Sequence, residues 1–139
     1  MKIRLAAAGD DKELCSLYYQ MHPVEEAANI KSKKLIKLRN GRLKTYVLIS
    51  EKNGKITGFV LGDLITYADF TYGSIEELYV LPAFRRKGVA SLLMKRMVKK
   101  LKGSGARTVI VLTNDKNKPA IKLYEHLGFR RSIYAYRMI

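Results

Sequence analysis

The residue types best placed to do chemistry lie between Glu76 and Ser91, in the stretch EELYVLPAFRRKGVAS. An apolar strand over residues 75–81 runs through Pro82 into Arg85, Arg86, Lys87 and Gly88, and an amphipathic helix follows. The first turn of a helix carries unpaired N–H groups and the positive end of the helix dipole. A strand feeding a glycine-containing turn and then a helix is therefore an anion site. Three consecutive cations strengthen it, and the stretch reads as the seat of a phosphorylated cofactor. In the same strand Glu76 and Glu77 are adjacent, so on a regular strand their side chains point to opposite faces. A carboxylate on a central strand is costly to bury unless it is paired or functional, which makes either one a candidate base.

The elements that must position these residues follow from periodicity and punctuation. Residues 2–6 alternate as a first strand, and Asp10 or Asp11 can cap a helix through Met21, with Leu14, Leu17, Tyr18 and Met21 at helical spacing. His22-Pro23 ends it. Residues 27–39 read as a second helix, stopped by Asn40-Gly41. Residues 45–51 and 55–66 form a hairpin across Lys52-Asn53-Gly54, and Gly58 and Gly62 in its second strand mark a bulge or a close neighbour. Residues 67–73 read as a loop before the 75–81 strand. Val89, Leu92, Leu93, Met97, Val98 and Leu101 define a helix over residues 88–102, and residues 107–112 are a continuous apolar strand. Strand, helix and strand then make a crossover with two parallel strands. Asn117-Lys118-Pro119 opens a last helix ended by Gly128, and residues 129–139 supply closing strands.

The totals bound the answer. A chain of 139 residues, 47% hydrophobic and 28% charged, fits one globular domain over residues 1–139. No apolar run approaches the roughly 20 residues that span a bilayer, and the N-terminus lacks the apolar stretch of a signal peptide, so the expected location is cytoplasmic with no membrane partner. The single cysteine, Cys15, excludes an internal disulfide, and there is no metal-ligand spacing. The 27 Lys plus Arg against 12 Asp plus Glu leave a net charge of +15, which attracts polyanions.

Two motifs in order carry a family resemblance. Leu78-Tyr79-Val80-Leu81-Pro82 followed by Arg85-Arg86-Lys87-Gly88-Val89-Ala90 resembles the R-x-x-G-x-A signature of the GNAT N-acetyltransferase superfamily. Asn117, Ala120, Leu123, Tyr124, Gly128 and Phe129 match that family's N-x-x-A-x-x-L-Y-x-x-x-G-F pattern. The resemblance implies a mixed α/β (α+β) fold: a mostly antiparallel central sheet with a parallel strand pair at the CoA site, flanked by about four helices. It implies acetyl-CoA as cosubstrate. The amides of residues 86–90, with Arg85, Lys87 and Ser91 beside them, would hold the pyrophosphate, Gly88 and small Ala90 leaving room. The pantetheine arm would pair with backbone groups of Leu78 and Val80 like an added strand. A backbone N–H near Tyr79 or Val80 would serve the oxyanion, and Asn117 would cap the last helix or meet the arm.

Transfer from a thioester to an amine needs a lost amine proton, donors for the oxyanion, and an acid for the departing thiolate. The family places a tyrosine near the CoA sulfur at the position of Tyr124, which is then the acid. Glu76, two residues before Leu78, matches where some members carry a base acting through water. Glu77 is the reserve, and an amine that needs no dedicated base stays open. His22 and His126 take no role. The family builds its acceptor pocket from the N-terminal helices and the loop before the central strand. Here those segments carry Lys31, Lys33, Lys34, Lys37, Arg39, Arg42 and Lys44, which favours an amine flanked by acidic groups such as a protein N-terminus. Tyr18, Tyr19, Tyr67 and Tyr72 are candidate pocket walls. A small-molecule amine is the alternative acceptor, and the chain is expected as a monomer or homodimer. Two readings from other classes share the fold: a basic nucleic-acid-binding protein, resting on charge alone, and a CoA sensor without turnover.

Overall fold

The computed structural model describes residues 1–21, 43–132 and 138, the side chain of Tyr19 excepted. Among the described residues five strands form one sheet in the order β1-β2-β3-β4-β5: β1 Lys2–Leu5, β2 Leu43–Lys52, β3 Lys55–Tyr67, β4 Phe70–Val80 and β5 Val109–Val111. Neighbours from β1 to β4 are antiparallel, and β4 and β5 are parallel. The described helices are α1 Asp11–Met21, α2 Val89–Gly103 and α3 Lys118–His126. The expected mixed, mostly antiparallel sheet with one parallel pair is what the chain forms. The helix expected over residues 27–39, and with it the count of four, lies outside the described residues, as do residues 133–137 and 139 of the expected closing strands and the Lys and Arg residues from 31 to 42. Residues 129–132, the described start of those closing strands, form no strand.

Two apolar layers sandwich the sheet. On one face α2 buries Val89, Leu93, Met94, Met97 and Leu101 against Leu48, Val60, Leu64, Ile75 and Val80, with Tyr124, Leu127 and Phe129 packed at the margin. On the other, Leu14 and Leu17 of α1 meet Val47, Ile49, Ile56, Phe59 and Leu61. Each such side chain, fully buried, contributes about 1.5–3 kcal/mol. Arg4 fastens the start of α1 to the sheet, its guanidinium meeting Asp10 at 2.8 Å and Glu51 at 3.2 Å. The arginine holds the Asp10 carboxyl below the usual carboxylate range. Among the described residues no helix is long and apolar enough to cross a membrane.

The hairpin after β3 differs from the expected loop at residues 67–73. Its turn is only Ala68 and Asp69, with Ala68 in the left-handed region at φ 51°, and Tyr67 already pairs with Phe70. The aromatic residues that suggested a loop are the first rungs of a long ladder. Conversely β5 is shorter than residues 107–112 and only half-buried.

Glycines in the sheet let α2 come close. A Cβ on Gly73 would lie 2.9–3.3 Å from three side-chain atoms of Leu101, which is itself fully buried. Gly73→Ala is therefore expected to destabilise the fold by about 1–3 kcal/mol through overpacking, read from urea melts. An unchanged midpoint would mean that Leu101 has room to move.

Candidate active site

The site begins with an irregularity in pairing. Along β3 and β4 the register runs Leu61 to Glu77 and then Gly62 to Ile75, leaving Glu76 as an extra residue on β4. Such a bulge re-aims both side chains and backbone. Before it, the backbone of Thr71 and Gly73 faces β5, with Gly73 N–H donating to Thr108 O and Thr71 O accepting from Arg107 N–H. After it, Leu81 N–H donates to Thr57 O on β3. Because bonded and non-bonded pairs alternate in an antiparallel ladder, Glu77 and Tyr79 bond toward β3, and Leu78 and Val80 point their N–H and C=O groups outward. The parallel pairing with β5 stops at Ile75, so among the described residues no strand covers that outward edge.

The same parity revises two expectations. Of the two backbone N–H groups expected to serve an oxyanion, that of Tyr79 is turned into the sheet. Val80 keeps an outward N–H, and Leu78 adds one that the sequence reading had assigned only to the cofactor arm. Glu76 and Glu77, expected on opposite faces, share one. Glu77 lies opposite Leu61, which packs on the α1 face. Glu76 accepts from Ser74 Oγ, and Ser74 points away from the α2 face that its neighbours Gly73 and Ile75 meet. Two consecutive residues on one face are what a bulge produces. Glu76 is also exposed rather than buried, so the cost of burial does not argue for its role.

The edge leads directly to the start of α2. Gly88 is the N-cap at φ 80°, a left-handed backbone that glycine adopts without strain, and among the described residues no side chain caps this end. The first intrahelical bond runs from Leu92 N–H to Gly88 O, leaving the N–H groups of residues 88–91 without helical partners. Arg86, Lys87 and Gly88 are exposed, Val89 is buried in the core, and Ala90 and Ser91 are half-buried. Lys87 Nζ lies 5.8 Å from the Phe84 ring centroid. Arg85 turns back: its Nε donates to Val80 O at 2.7 Å and its guanidinium lies over Tyr79. The Tyr79 side chain sits on the α1 face, with Phe59 and Tyr18 in line beside it, apart from the outward edge.

On α3, Tyr124 is half-buried, its ring edge-on to Phe129 at 6.1 Å. Burial pushes its phenol above the ordinary value of 10.0, so it is protonated at neutral pH. Asn117 is the N-cap of α3, accepting from Ala120 N–H at 3.3 Å. Of the tyrosines expected as pocket walls, Tyr18 belongs to the aromatic row, the Tyr19 side chain lies outside the described residues, and Tyr72 shares the face of Ser74 and Glu76. Tyr67 is exposed at the far turn. Among the described residues no group of three or more His, Cys, Asp or Glu could hold a metal.

Asp63 is a carboxylate on the face of Glu76 that the sequence reading did not single out. It pairs with Ser74 across the ladder and accepts from buried Thr45 Oγ1 at 2.6 Å. Thr45, Asp63, Ser74 and Glu76 turn this part of an otherwise apolar face polar. The signal was a carboxylate between apolar neighbours in Leu61-Gly62-Asp63-Leu64-Ile65, judged by the same burial cost already applied to Glu76. Burial pushes the Asp63 carboxyl up, the Thr45 bond opposes this, and the charge of Glu76 adds to the rise. A carboxyl raised by folding binds its proton more tightly in the native state. It therefore costs stability as pH climbs from the ordinary 3.8 through the raised value. Asp63→Asn keeps an acceptor for Thr45 and is expected to raise the melting temperature at neutral pH, with the gain vanishing below pH 3.8. Thermal melts across pH check this; a gain independent of pH would contradict it.

Comparison with known proteins fits this geometry. The model of the Acetyltransferase (GNAT) family matches residues 11–129. The L-methionine sulfoximine/L-methionine sulfone acetyltransferase of Salmonella typhimurium is 30% identical, the match covering 93% of this chain and 80% of that protein. A ribosomal-protein-alanine N-acetyltransferase from Brucella melitensis biovar Abortus superposes with a TM-score of 0.80 at 19% identity, over 100% of this chain and 99% of the other. An aminoglycoside N-acetyltransferase in complex with CoA gives a TM-score of 0.77 at 21% identity, over 99% of each chain. The two structural likenesses speak for the fold.

Proposed function

The chain belongs to the GNAT acetyltransferase family and is an acetyl-CoA-dependent N-acetyltransferase, and from that premise we propose that its acceptor is the primary amine of a small molecule, attacked directly on the thioester in a ternary complex. The observation that carries the donor half is the continuity between the outward edge of β4 and the uncapped start of α2. An extended arm ending in a pyrophosphate needs a row of backbone partners followed by an anion site, and these two features supply them in that order.

In this reading the outward N–H groups of Leu78 and Val80 serve the arm and the thioester oxygen. The amine nitrogen forms its bond to the carbonyl carbon, its proton passes through water to Glu76, and the C–S bond breaks. The thiolate takes the phenolic proton of Tyr124. The polar patch of Asp63, Glu76, Ser74 and Thr45 faces the acceptor's side of the sheet, where a carboxylate attracts an ammonium group. That patch and the sulfoximine- and sulfone-acetylating relative support a small amine. A protein or peptide amine is the second reading, favoured by the cationic residues 31–44 in the sequence.

A mass-spectrometric screen for acetylated products tests the acceptor, run over L-methionine sulfone, amino acids, aminoglycosides, polyamines and peptides with acetyl-CoA. Acetylated small amines support the proposal, and products confined to peptides transfer it to the second reading. A CoA-induced rise in melting temperature without turnover would indicate a sensor. Absence of CoA binding, together with a steep salt dependence of binding to DNA or RNA, would favour the nucleic-acid class.

A further inference from the structure

We propose that Arg85 is a positioning residue that fixes a single register for the donor's extended arm on β4, an inference that rests on the acetyl-CoA reading above. Past the bulge the outward groups of β4 are the N–H and C=O of Leu78 and of Val80. Arg85 Nε already donates to Val80 O at 2.7 Å, which removes that acceptor from the edge. Among the described residues three groups remain for an incoming chain: Leu78 N–H, Leu78 C=O and Val80 N–H. An arm amide that must donate finds only Leu78 C=O.

Without the arginine, Val80 C=O would offer a second acceptor two residues further along, about 6.6 Å away at the usual strand rise. An arm paired there would carry its thioester off the outward N–H groups by the same distance. The guanidinium is held in this role from the other side. It lies 5.3 Å from the Tyr79 ring centroid, and the Tyr79 hydroxyl reaches Gln20 Oε1 on α1 at 3.4 Å. Arg85 is thus engaged at the strand end. Its neighbour Arg86 is held at φ 61°, an unfavourable backbone for a residue with a Cβ, which persists where surrounding contacts fix the turn.

A direct contact between Arg85 and the pyrophosphate is the competing role, and the two are separable. Wild type, Arg85→Met and Arg85→Lys are assayed with acetyl-CoA and with S-acetylpantetheine, which has the same arm and no pyrophosphate. L-methionine sulfone is the acceptor probe, and melting curves check folding. CoA and pantetheine affinities are measured by calorimetry in parallel, so the comparison does not depend on the acceptor. Loss of register is expected to lower kcat by at least about 10-fold in Arg85→Met, since misplacement by even an ångström can cost about 100-fold. The loss is at least as large for S-acetylpantetheine as for acetyl-CoA, whose pyrophosphate seat also limits slippage. Arg85→Lys, which still offers a donor, recovers part of that loss, while the affinities for CoA and pantetheine do not fall, because freeing Val80 C=O adds a pairing mode and removes none. A defect confined to acetyl-CoA, a fall in affinity confined to CoA, an unchanged kcat, or equal behaviour of Met and Lys overturns the proposal. An inactive wild type that still binds CoA and pantetheine would count against the acetyltransferase reading alone, and the affinity comparison would still decide the role of Arg85. If Arg85→Met melts early, Arg85→Lys carries the test through the same two-donor comparison.

Discussion

Tyr124→Phe is expected to lower kcat by about 100-fold or more while leaving CoA affinity within about threefold. A positioned general acid contributes roughly 100- to 10,000-fold. Two features fit Tyr124 for that role. Its half-buried phenol is held above its ordinary value of 10.0, so the proton is present at neutral pH, and the edge-on packing against Phe129 fixes the ring. Phenylalanine keeps the ring and that packing, so stability should change little and the lost hydroxyl dominates. The wild-type pH profile should also show no falling limb from this group below pH 10.0, because a raised phenol loses its proton only above that value. Steady-state turnover with saturating acetyl-CoA, together with calorimetric CoA affinity, checks both halves. A kcat within threefold of wild type would make Tyr124 a packing residue, as its place at the margin of the α2 core allows.

What could be read from the chain alone divides by whether a feature belongs to one segment or to a pair. The helix start at Gly88 was legible because its parts are consecutive: strand, turn, cations, glycine, then Leu93, Met97 and Leu101 at helical spacing. The Asn117 cap was legible for the same reason, with proline in the first turn. The bulge at Glu76 was not, since an extra residue exists only relative to Leu61 and Gly62 on the partner strand. That one pairing decides that Leu78 and Val80, rather than Glu77 and Tyr79, face outward along the edge. The family likeness supplied Leu78 and Val80 without the cause. Asp63 needed its neighbours too: its environment is made by Thr45 and Ser74, far away in sequence and adjacent only through the ladder. Gly62, suspected of marking a bulge or a close neighbour, does both. It flanks the irregularity, and a Cβ there would meet Met97 Sδ at 2.7 Å.

Ser91→Glu is expected to weaken CoA binding by about 100-fold while making the apoprotein slightly more stable, an opposition of sign that a simple folding defect cannot produce. Ser91 is the third residue of α2, among N–H groups that have no helical partner and no side-chain cap. A carboxylate there complements the helix dipole, worth about 0.3–1 kcal/mol, and α2 has no acidic residue in its first turn to duplicate the effect. The same carboxylate competes with the pyrophosphate for those donors and repels it. Two unit charges 4 Å apart at an effective dielectric near 20 interact by about 4 kcal/mol, and solvent at this partly exposed helix end reduces that to the 100-fold expected. Because the repulsion is between charges near water, raising the salt concentration should narrow the gap between variant and wild type. Ser91→Gln, of equal size and without the charge, separates sterics from electrostatics and should stay within about fivefold of wild type. Calorimetric CoA titrations beside urea melts read both quantities. If Ser91→Glu binds CoA as wild type does, the anion is not seated at the start of α2, and the outward edge of β4 must lead elsewhere.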